Sequence, residues 1–368
     1  MTGEGKISER QLTFIMVTVL LATVLFFAPQ LVSRSVEQDA WITAIIATLL
    51  GLINVLVIVY LGRRFPGLTI IEYLPLILGK PLGKLLAILY CFWFLFINAF
   101  IIRTVGIFLN TTFMPNTPVG VFDVTMVALT FFALRSGLEV WARVNEILLP
   151  IIILALLAVI TLPLPDMDFR RLLPIGVHPV GILVLSSFIS ASWRGEIFAV
   201  GMFLPSLNRE QHMVRNLIIG ALLVGVILGL VEIATVAVFG GTNTGQLEFP
   251  FFSLARVISL AKIFDRMEIV IVMTWVIGTF IKICVFLYSA TKGITQVVGF
   301  KNFQYILFPI ALLSVALADN IVPDVAQITD FMTNVWGAYG LLSFELVIPV
   351  LLLLVTVIRG KKRLNNEA

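Results

Sequence analysis

The chain has 368 residues, of which 60% are hydrophobic and 12% are charged, and its mean hydropathy is +1.07. Soluble domains have roughly 45–50% apolar and about 25% charged residues, so this composition excludes a soluble globular fold and indicates an integral membrane protein. The net charge of +4 comes from basic residues placed between apolar segments and not in one patch, so we predict no nucleic-acid partner.

About ten segments are long and apolar enough to be transmembrane helices, since a helix needs about 20 apolar residues to cross the hydrocarbon core. In chain order these segments are 11–33, 40–62, 83–110, 119–135, 146–163, 179–204, 216–240, 267–290, 303–319 and 334–358. Pro66–Gly79 is too short and too amphipathic to span, so we predict an interfacial helix there. Phe251–Phe264 carries Arg256 and Lys262, which favours a re-entrant or surface helix on the outer side.

The loops differ in their Lys and Arg content, which sets the orientation of a membrane protein. With the N-terminus inside, about sixteen Lys and Arg residues fall in cytoplasmic loops and about six in outer loops. This bias predicts two cytoplasmic termini and outer loops at 34–39, 164–178, 241–266 and 319–333. No loop is long enough to fold as a soluble domain, so we expect a single transmembrane domain over residues 1–368.

Two of the predicted spans are interrupted at matching places. Span one carries Pro29 deep in an apolar run, and span six carries the segment Ser190-Ala-Ser-Trp-Arg-Gly-Glu196 and closes at Pro205. Pro29 by itself is also explained by a kink in a packed helix. Interruptions in both halves are typical of inverted-repeat transporters, in which the broken helices mark the binding site. Each of the two interrupted spans opens a block of five spans, the first over about 11–163 and the second over about 179–358.

Several stretches carry a resemblance to a known family. They are Ile7-Ser-Glu-Arg-Gln-Leu12, Phe27-Ala-Pro29, Asp39-Ala-Trp41, Arg64-Phe-Pro-Gly-Leu-Thr69, Glu72-Tyr73 and Leu78-Gly-Lys-Pro-Leu-Gly-Lys84. In these the chain resembles the endospore amino-acid permease-like family, the B subunits of spore germinant receptors, a branch of the amino acid–polyamine–organocation superfamily. The resemblance implies an all-α fold of ten transmembrane helices in a five-plus-five inverted repeat with broken helices one and six. It also implies an amino acid or similar nutrient as ligand, A and C subunits as partners, and the inner membrane of the spore as the location.

Charged residues inside the predicted spans form a candidate network, because a charge at bilayer depth needs a partner or a cavity. Residues two apart on a helix point about 200° away from each other, so Arg194 and Glu196 each need a separate partner. Three cations and three anions balance at similar depth: Arg103, Arg194, Lys282, Glu196, Glu232 and Glu345. The network either locks helices together, or lines the ligand site and relays a proton. Glu196 follows the interruption of span six directly and is the first candidate.

We predict a ligand site between spans one, three, six and eight. Small and polar residues leave room there, and freed backbone groups can bind a carboxylate or an ammonium. The candidate ligand-binding residues are Ala22, Thr23, Val24, Asn98, Ser190, Ser192, Trp193 and Glu196. Members of the family that this chain resembles tend to have glycines where it has residues 22–24. In the wider superfamily span eight faces the unwound part of span one, where some members bind sodium. The Lys282 ammonium would replace that ion and hold the same backbone carbonyls; a paired or snorkelling lysine is the alternative.

The function predicted from these features is a nutrient-binding subunit of a spore germinant receptor that passes ligand binding to partner subunits. An autonomous amino-acid transporter, coupled to protons or uncoupled, is the alternative, and a purely structural membrane subunit is a third possibility. No enzyme activity is predicted, because no nucleophile–base pair is present. No metal or other cofactor is predicted either, since Cys91 and Cys284 lie apart and His178 and His212 lie in loops.

Overall fold

The computed structural model describes residues 5–258 and 267–364. Fourteen α-helices form the described part of the chain. They are α1 (Glu9–Val36), α2 (Ala40–Arg64), α3 (Ile70–Leu78), α4 (Lys80–Thr112), α5 (Val119–Arg135), α6 (Leu138–Thr161), α7 (Val180–Gly195), α8 (Met213–Phe239), α9 (Gly241–Gln246), α10 (Pro250–Ile258), α11 (Met267–Val298), α12 (Gln304–Ile321), α13 (Val325–Phe331) and α14 (Val347–Leu364). Short 3₁₀ helices lie at Glu37–Asp39, Leu164–Asp166, Phe169–Leu172, Glu196–Met202 and Leu204–Ser206, and a π-helix covers Met332–Glu345.

A helical segment lies at each of the predicted spans. Seven segments of the described chain are long and apolar enough to cross a membrane, and the first of these, Glu9–Arg64, contains both α1 and α2. The fourth span is α5, which has 17 residues. The last consists of α13, the π-helix and α14, with a turn at Leu346 before α14. The prediction of an all-α multi-pass membrane protein is confirmed.

Local sequence signals account for where several of these helices begin. At α1, the Ser8 side chain accepts a hydrogen bond from the backbone of Gln11, whose own side chain bonds back to Ser8. The same capping box, formed by Thr69 and Glu72, starts α3. Such reciprocal caps satisfy backbone donors that the first turn leaves free. The nine-residue α3 agrees with the predicted short helix over Pro66–Gly79.

The predicted break in helix one is wrong. The helix α1 runs without interruption from Glu9 to Val36 and contains Pro29. The physical reason is its position: α1 is packed by α6, α7, α8, α9 and α11, and Pro29 is buried among them. A membrane helix tolerates proline where protein neighbours surround the freed backbone carbonyl.

The predicted break in helix six is confirmed. The helix α7 ends at Gly195, and a 3₁₀ helix continues from Glu196 to Met202. The two geometries differ in hydrogen-bond register, so backbone groups at the junction lose their regular helical partners. A second irregular segment, the π-helix of the last span, was not predicted. It approaches the α7 backbone closely, since a Cβ at Gly337 would lie 3.2 Å from Ile189 Cα.

The connections gather at two ends of the helix bundle. At one end the backbone of Ile7 pairs with Ser206 and Asn208 through hydrogen bonds of 2.9 and 3.0 Å. At the other end Asp39 binds the loop before α7 through the Gly176 backbone, at 2.7 Å. These groupings match the predicted division of loops into an inner and an outer set, while the side that each end faces stays a prediction.

The helix predicted over Phe251–Phe264 is described only up to Ile258. Its described part, α10, buries Phe251 and Leu254 completely and packs against α1 and α11. This burial fits a re-entrant helix and not an exposed surface helix. Residues 259–266, with Lys262, lie outside the described residues.

Candidate functional site

The centre of the bundle holds a buried contact between three elements. The Lys282 ammonium, from the middle of α11, lies 2.6 Å from Glu196 Oε2 and donates a hydrogen bond to Thr23 Oγ1 at 2.6 Å. Glu196 is the first residue after the end of α7, and Thr23 lies in the middle of α1. The three residues are at most 3% exposed. Lys282 therefore ties α1 and α11 to the interruption of span six.

This contact corrects one detail of the prediction for Lys282. The ammonium was expected to hold freed backbone carbonyls of span one in place of a sodium ion. Because α1 continues as a helix through residues 22–24, this part of the chain is not unwound, and Lys282 binds the hydroxyl of Thr23. In the structure Lys282 is paired with Glu196, as the alternative of a paired lysine predicted.

Glu345 is a third titratable member of this centre. It ends the π-helix and lies against Gly195, because a Cβ added to Gly195 would be 2.5 Å from Glu345 Cβ. Its carboxyl group lies near enough to Lys282 and Glu196 for the three groups to interact electrostatically. Only a residue without a side chain fits at position 195, so Gly195 allows the π-helix to approach the break in span six.

A small cavity of about 10 Å³ adjoins the Lys282 contact. Thr23, Trp193, Glu196, Trp336 and Met332 line it, together with one face of α4, namely Ile97, Phe100, Ile101 and Thr104. This volume is about that of a single water site and is far below that of a small-molecule pocket. The Trp336 indole is stacked with the rings of Trp93, at 5.3 Å, and Phe100, at 6.0 Å. The structure thus shows the centre in a closed state, with aromatic rings packed around it.

Arg194 lies outside this centre and has separate partners. Its guanidinium donates to the carbonyl and the hydroxyl of Ser190 at 2.9 and 2.6 Å, and to the Ala44 carbonyl at 3.3 Å. Glu232 on α8 acts on it electrostatically, and its stem packs on Gly51. The expectation that Arg194 and Glu196 need different partners is met.

Arg103 belongs to a third charged group and not to the predicted central network. It binds Asp123 Oδ2 at 3.1 Å, Asp319 Oδ1 at 3.3 Å and the Val322 carbonyl at 2.9 Å, and so joins α4, α5 and α12. Asp123 is fully buried but was missed. A lone carboxylate within span four, Val119-Gly-Val-Phe-Asp123, was the signal that would have found it.

The other predicted ligand residues are distributed around the centre. Asn98 points away from it, since its Nδ2 donates to Ser314 on α12 at 3.2 Å. Ser192 donates to the Ile189 carbonyl within α7 at 2.7 Å, Ala22 faces Gly278 on α11, and Val24 is completely buried. Of the eight predicted ligand residues, the structure brings Thr23, Trp193 and Glu196 together at the cavity.

A larger cavity, of about 400 Å³, opens at the end of the bundle that holds the N-terminal segment. Thr69, Glu72, Gln296 and Lys301 line it with Pro205, which lies in the chain just after the 3₁₀ segment that begins at Glu196. Sequence patterns gave no signal for this cavity. In residues 5–258 and 267–364 no cluster of three or more His, Cys, Asp or Glu side chains is arranged to hold a metal ion.

Comparison with known proteins finds a family model and several relatives whose descriptions agree with one another. The model of a family described as "Spore germination protein" matches residues 6–320. The chain is 26% identical to spore germination protein KB of Bacillus subtilis. The 368 aligned residues cover 99% of this chain and 98% of that protein. It is 25% identical to spore germination protein YndE of the same organism, over 80% of this chain and 81% of that one. Spore germination protein XB of Bacillus anthracis is 24% identical, over 68% and 70% of the two chains.

Two solved structures share the fold. One is MhsT in complex with L-phenylalanine, with a TM-score of 0.69 and 14% identity, over 96% of this chain and 99% of that chain. The other is Mhp1, a nucleobase-cation-symport-1 family transporter with bromovinylhydantoin bound. Its TM-score is 0.66 at 14% identity, and the match covers 89% of this chain and 75% of that chain. The arrangement of helices described above is therefore that of a transporter fold.

Proposed function

Because the chain belongs to the family of spore germination proteins, we propose that it is the membrane-embedded nutrient-binding subunit of a spore germinant receptor. The ligand in this proposal is an amino acid, bound in the centre of the transporter fold. Partner subunits, the A and C subunits of the receptor, receive the binding event. The inner membrane of the spore is the proposed location.

One observation carries the proposal: the Lys282–Glu196 ion pair lies at the break of span six, beside a closed cavity lined by Thr23 and Trp193. An amino acid carries an ammonium and a carboxylate, and this pair offers a carboxylate and an ammonium in return. Backbone groups freed at the junction of α7 and the 3₁₀ helix add further hydrogen-bonding capacity. The amino acid bound to MhsT, a protein of the same fold, supports this class of ligand.

Ligand entry requires a rearrangement, because the cavity is about 10 Å³. Trp336, on the π-helix, and Trp193, on α7, are the large side chains at its wall. Their displacement would move the last span against α7, which is a change that neighbouring subunits in the membrane can detect. A closed centre and a centre opened by ligand binding would thus be the two states of the subunit.

The fold likeness to Mhp1, a nucleobase-cation-symport-1 family transporter, favours a second candidate, an autonomous amino-acid transporter. Two measurements separate the candidates. Spores that lack this chain should lose germination in response to one nutrient, and proteoliposomes that contain the purified chain should show no radiolabelled uptake of that nutrient above empty vesicles. Uptake by the isolated chain, together with unchanged germination of the deletion spores, would establish the transporter instead.

The orientation follows from the same proposal: both termini are cytoplasmic, and the two five-helix repeats are inverted. Exposed residues at the two ends of the bundle test this. A cysteine at Asn243 should react with an impermeant reagent added outside, whereas a cysteine at Asn208 should not. The native Cys91 and Cys284 are both buried, so they add little background. The opposite labelling pattern would reverse the topology.

A further inference from the structure

Glu345 is a buried carboxyl group to which the proposed ligand contacts assign no role. The residue is 1% exposed, and neither of its carboxyl oxygens accepts a hydrogen bond from the described residues. Gly195 fills the space on one side, since a Cβ there would lie 2.6 Å from Glu345 Oε2. An ionised carboxylate at this position would be both desolvated and without donors, which strongly favours its neutral form.

The charged groups around Glu345 do not change this conclusion. Lys282, on α11, acts on Glu345, but its ammonium lies 2.6 Å from Glu196 Oε2 and 2.6 Å from Thr23 Oγ1. Glu196, which follows Gly195 at the end of α7, is a second carboxylate beside Glu345, and two like charges in one buried site repel each other. Tyr90 on α4 is a further titratable group near Glu345, and its hydroxyl donates to the Phe344 carbonyl at 2.8 Å.

We propose that Glu345 is a proton-binding site: Lys282, Glu196 and Glu345 together hold one proton, which resides on Glu345 while Glu196 is paired with Lys282. With one ammonium, one carboxylate and one neutral carboxylic acid, the buried cluster has no net charge, which is the state that a low-dielectric interior favours. If the Lys282–Glu196 pair separates, the ammonium is free to pair with Glu345. The O–H bond of Glu345 then breaks and its proton passes to the Glu196 carboxylate, so that the cluster still holds one proton and has no net charge. A proton is thereby a second ligand of the centre.

Infrared spectroscopy of the purified full-length chain tests this directly, in a detergent without ester groups. Glutamate labelled with ¹³C at the side-chain carboxyl distinguishes glutamic acids from the buried Asp123. At neutral pH the wild-type chain should show a carboxylic-acid C=O band that shifts with the label and in D₂O. One component of that band should be missing in Glu345→Gln. Identical acid bands in the wild-type chain and in Glu345→Gln would overturn the proposal.

Two further results bear on the same claim. Gln is the uncharged counterpart of a neutral glutamic acid, so Glu345→Gln should accumulate in the membrane at the wild-type level; failure to accumulate would show that the ionised carboxylate is required. In Glu196→Gln the same component should disappear as well, because Lys282 then pairs with Glu345; its persistence would contradict the shared proton. The measurement needs no nutrient, so a failure of the proposed receptor function is distinguishable from a failure of the proton site.

Discussion

Lys282 and Glu196 form an ion pair of 2.6 Å in which both side chains are inaccessible to water. The pair connects the middle of α11 to the residue at which span six changes from an α-helix to a 3₁₀ helix. Two charges placed this deep stabilise the fold only when both are present, since removal of one leaves the other uncompensated. The pair therefore holds the interrupted segment in place in the closed state.

Loss of the Glu196 charge should destabilise the protein. The size of this destabilisation should depend on whether Glu345 is present to pair with Lys282. We expect Glu196→Gln to lower the free energy of unfolding by about 1–3 kcal/mol, because Lys282 then turns to Glu345. With Glu345→Gln added, Lys282 has no carboxylate, and the loss should reach about 3–5 kcal/mol. Reversible denaturation of the purified chain in mixed micelles measures these differences.

Two variants control this series. Replacement of Lys282 with Met, added to the double variant, should restore most of the stability, because no unpaired charge is left. Glu139→Gln, which removes an exposed pair with Arg143, should change the stability by less than about 0.5 kcal/mol. Equal effects of the buried and the exposed change would contradict the structural role of the Lys282–Glu196 pair.

Gly195→Ala should be unfavourable for a steric reason. The new Cβ would lie 2.5 Å from Glu345 Cβ, so the π-helix would have to shift away from α7, at a cost of about 1–3 kcal/mol. Gly229→Ala, in the middle of α8, meets no atom within 4 Å and should be neutral or slightly stabilising, because alanine favours a helix. Thermal unfolding followed by circular dichroism compares the two variants, and a Gly195→Ala midpoint as high as that of Gly229→Ala would disprove the close contact.

Arg103 allows a comparison of two carboxylates that bind the same guanidinium. Asp123 is buried, whereas the Asp319 side chain is 68% exposed. Asp123→Asn should therefore lower the free energy of unfolding by about 3–5 kcal/mol, and Asp319→Asn by less than about 1 kcal/mol. Denaturation curves of the two variants provide the test, and the reverse order would show that Asp319 is the stabilising partner.

The sequence predicted the spans well because each depends on a local property, the length of an apolar run. The change of helix type at Glu196 was also predictable, since Gly195 and the charges around it mark an irregular segment within an apolar one. The break predicted at Pro29 was wrong because the effect of this proline depends on how tightly neighbouring helices surround α1, and no local sequence pattern indicates that.

The charge network was only partly predictable. Position within the predicted spans identified six of the buried charged residues and missed Asp123, and pairing is decided by which helix faces meet. Arg103 turned out to face α5 and α12, and Asn98 faces α12, because the rotation of α4 about its axis places its other face against the cavity. The π-helix at Met332–Glu345 contains no proline, and its register depends on close packing against α7. These contacts between helices depend on the tertiary structure, and the sequence of a single span does not predict them.

A carboxylate outside the spanning segments predicts a pH effect. Asp39, between α1 and α2, is buried, which by itself raises its pKa, but hydrogen bonds from His178 and the Gly176 amide and the charge of His178 hold the pKa of Asp39 below its usual value. A lowered folded-state pKa gives stability that is present above the unfolded value, about 3.9, and is lost as the pH falls through the folded value.

The wild-type chain should therefore lose stability below about pH 4 more steeply than Asp39→Asn. The unfolding temperature as a function of pH measures this slope. Asp166→Asn, which changes an exposed carboxylate near the same end of the bundle, should follow the wild-type curve. Parallel curves for the wild-type chain and Asp39→Asn would show that the Asp39–His178 contact contributes nothing at acidic pH.

Equilibrium binding of radiolabelled amino acids to the purified chain in lipid nanodiscs tests the central claim most directly. The wild-type chain should bind one amino acid saturably. Thr23→Val, which removes the hydroxyl that binds Lys282 at the cavity, should weaken that binding on the order of tenfold. Thr356→Val, which changes a buried threonine bonded within its own helix, should bind like the wild-type chain. Equal affinities in all three proteins, or no saturable binding of any amino acid to the wild-type chain, would contradict a nutrient site at Thr23, Trp193 and Glu196.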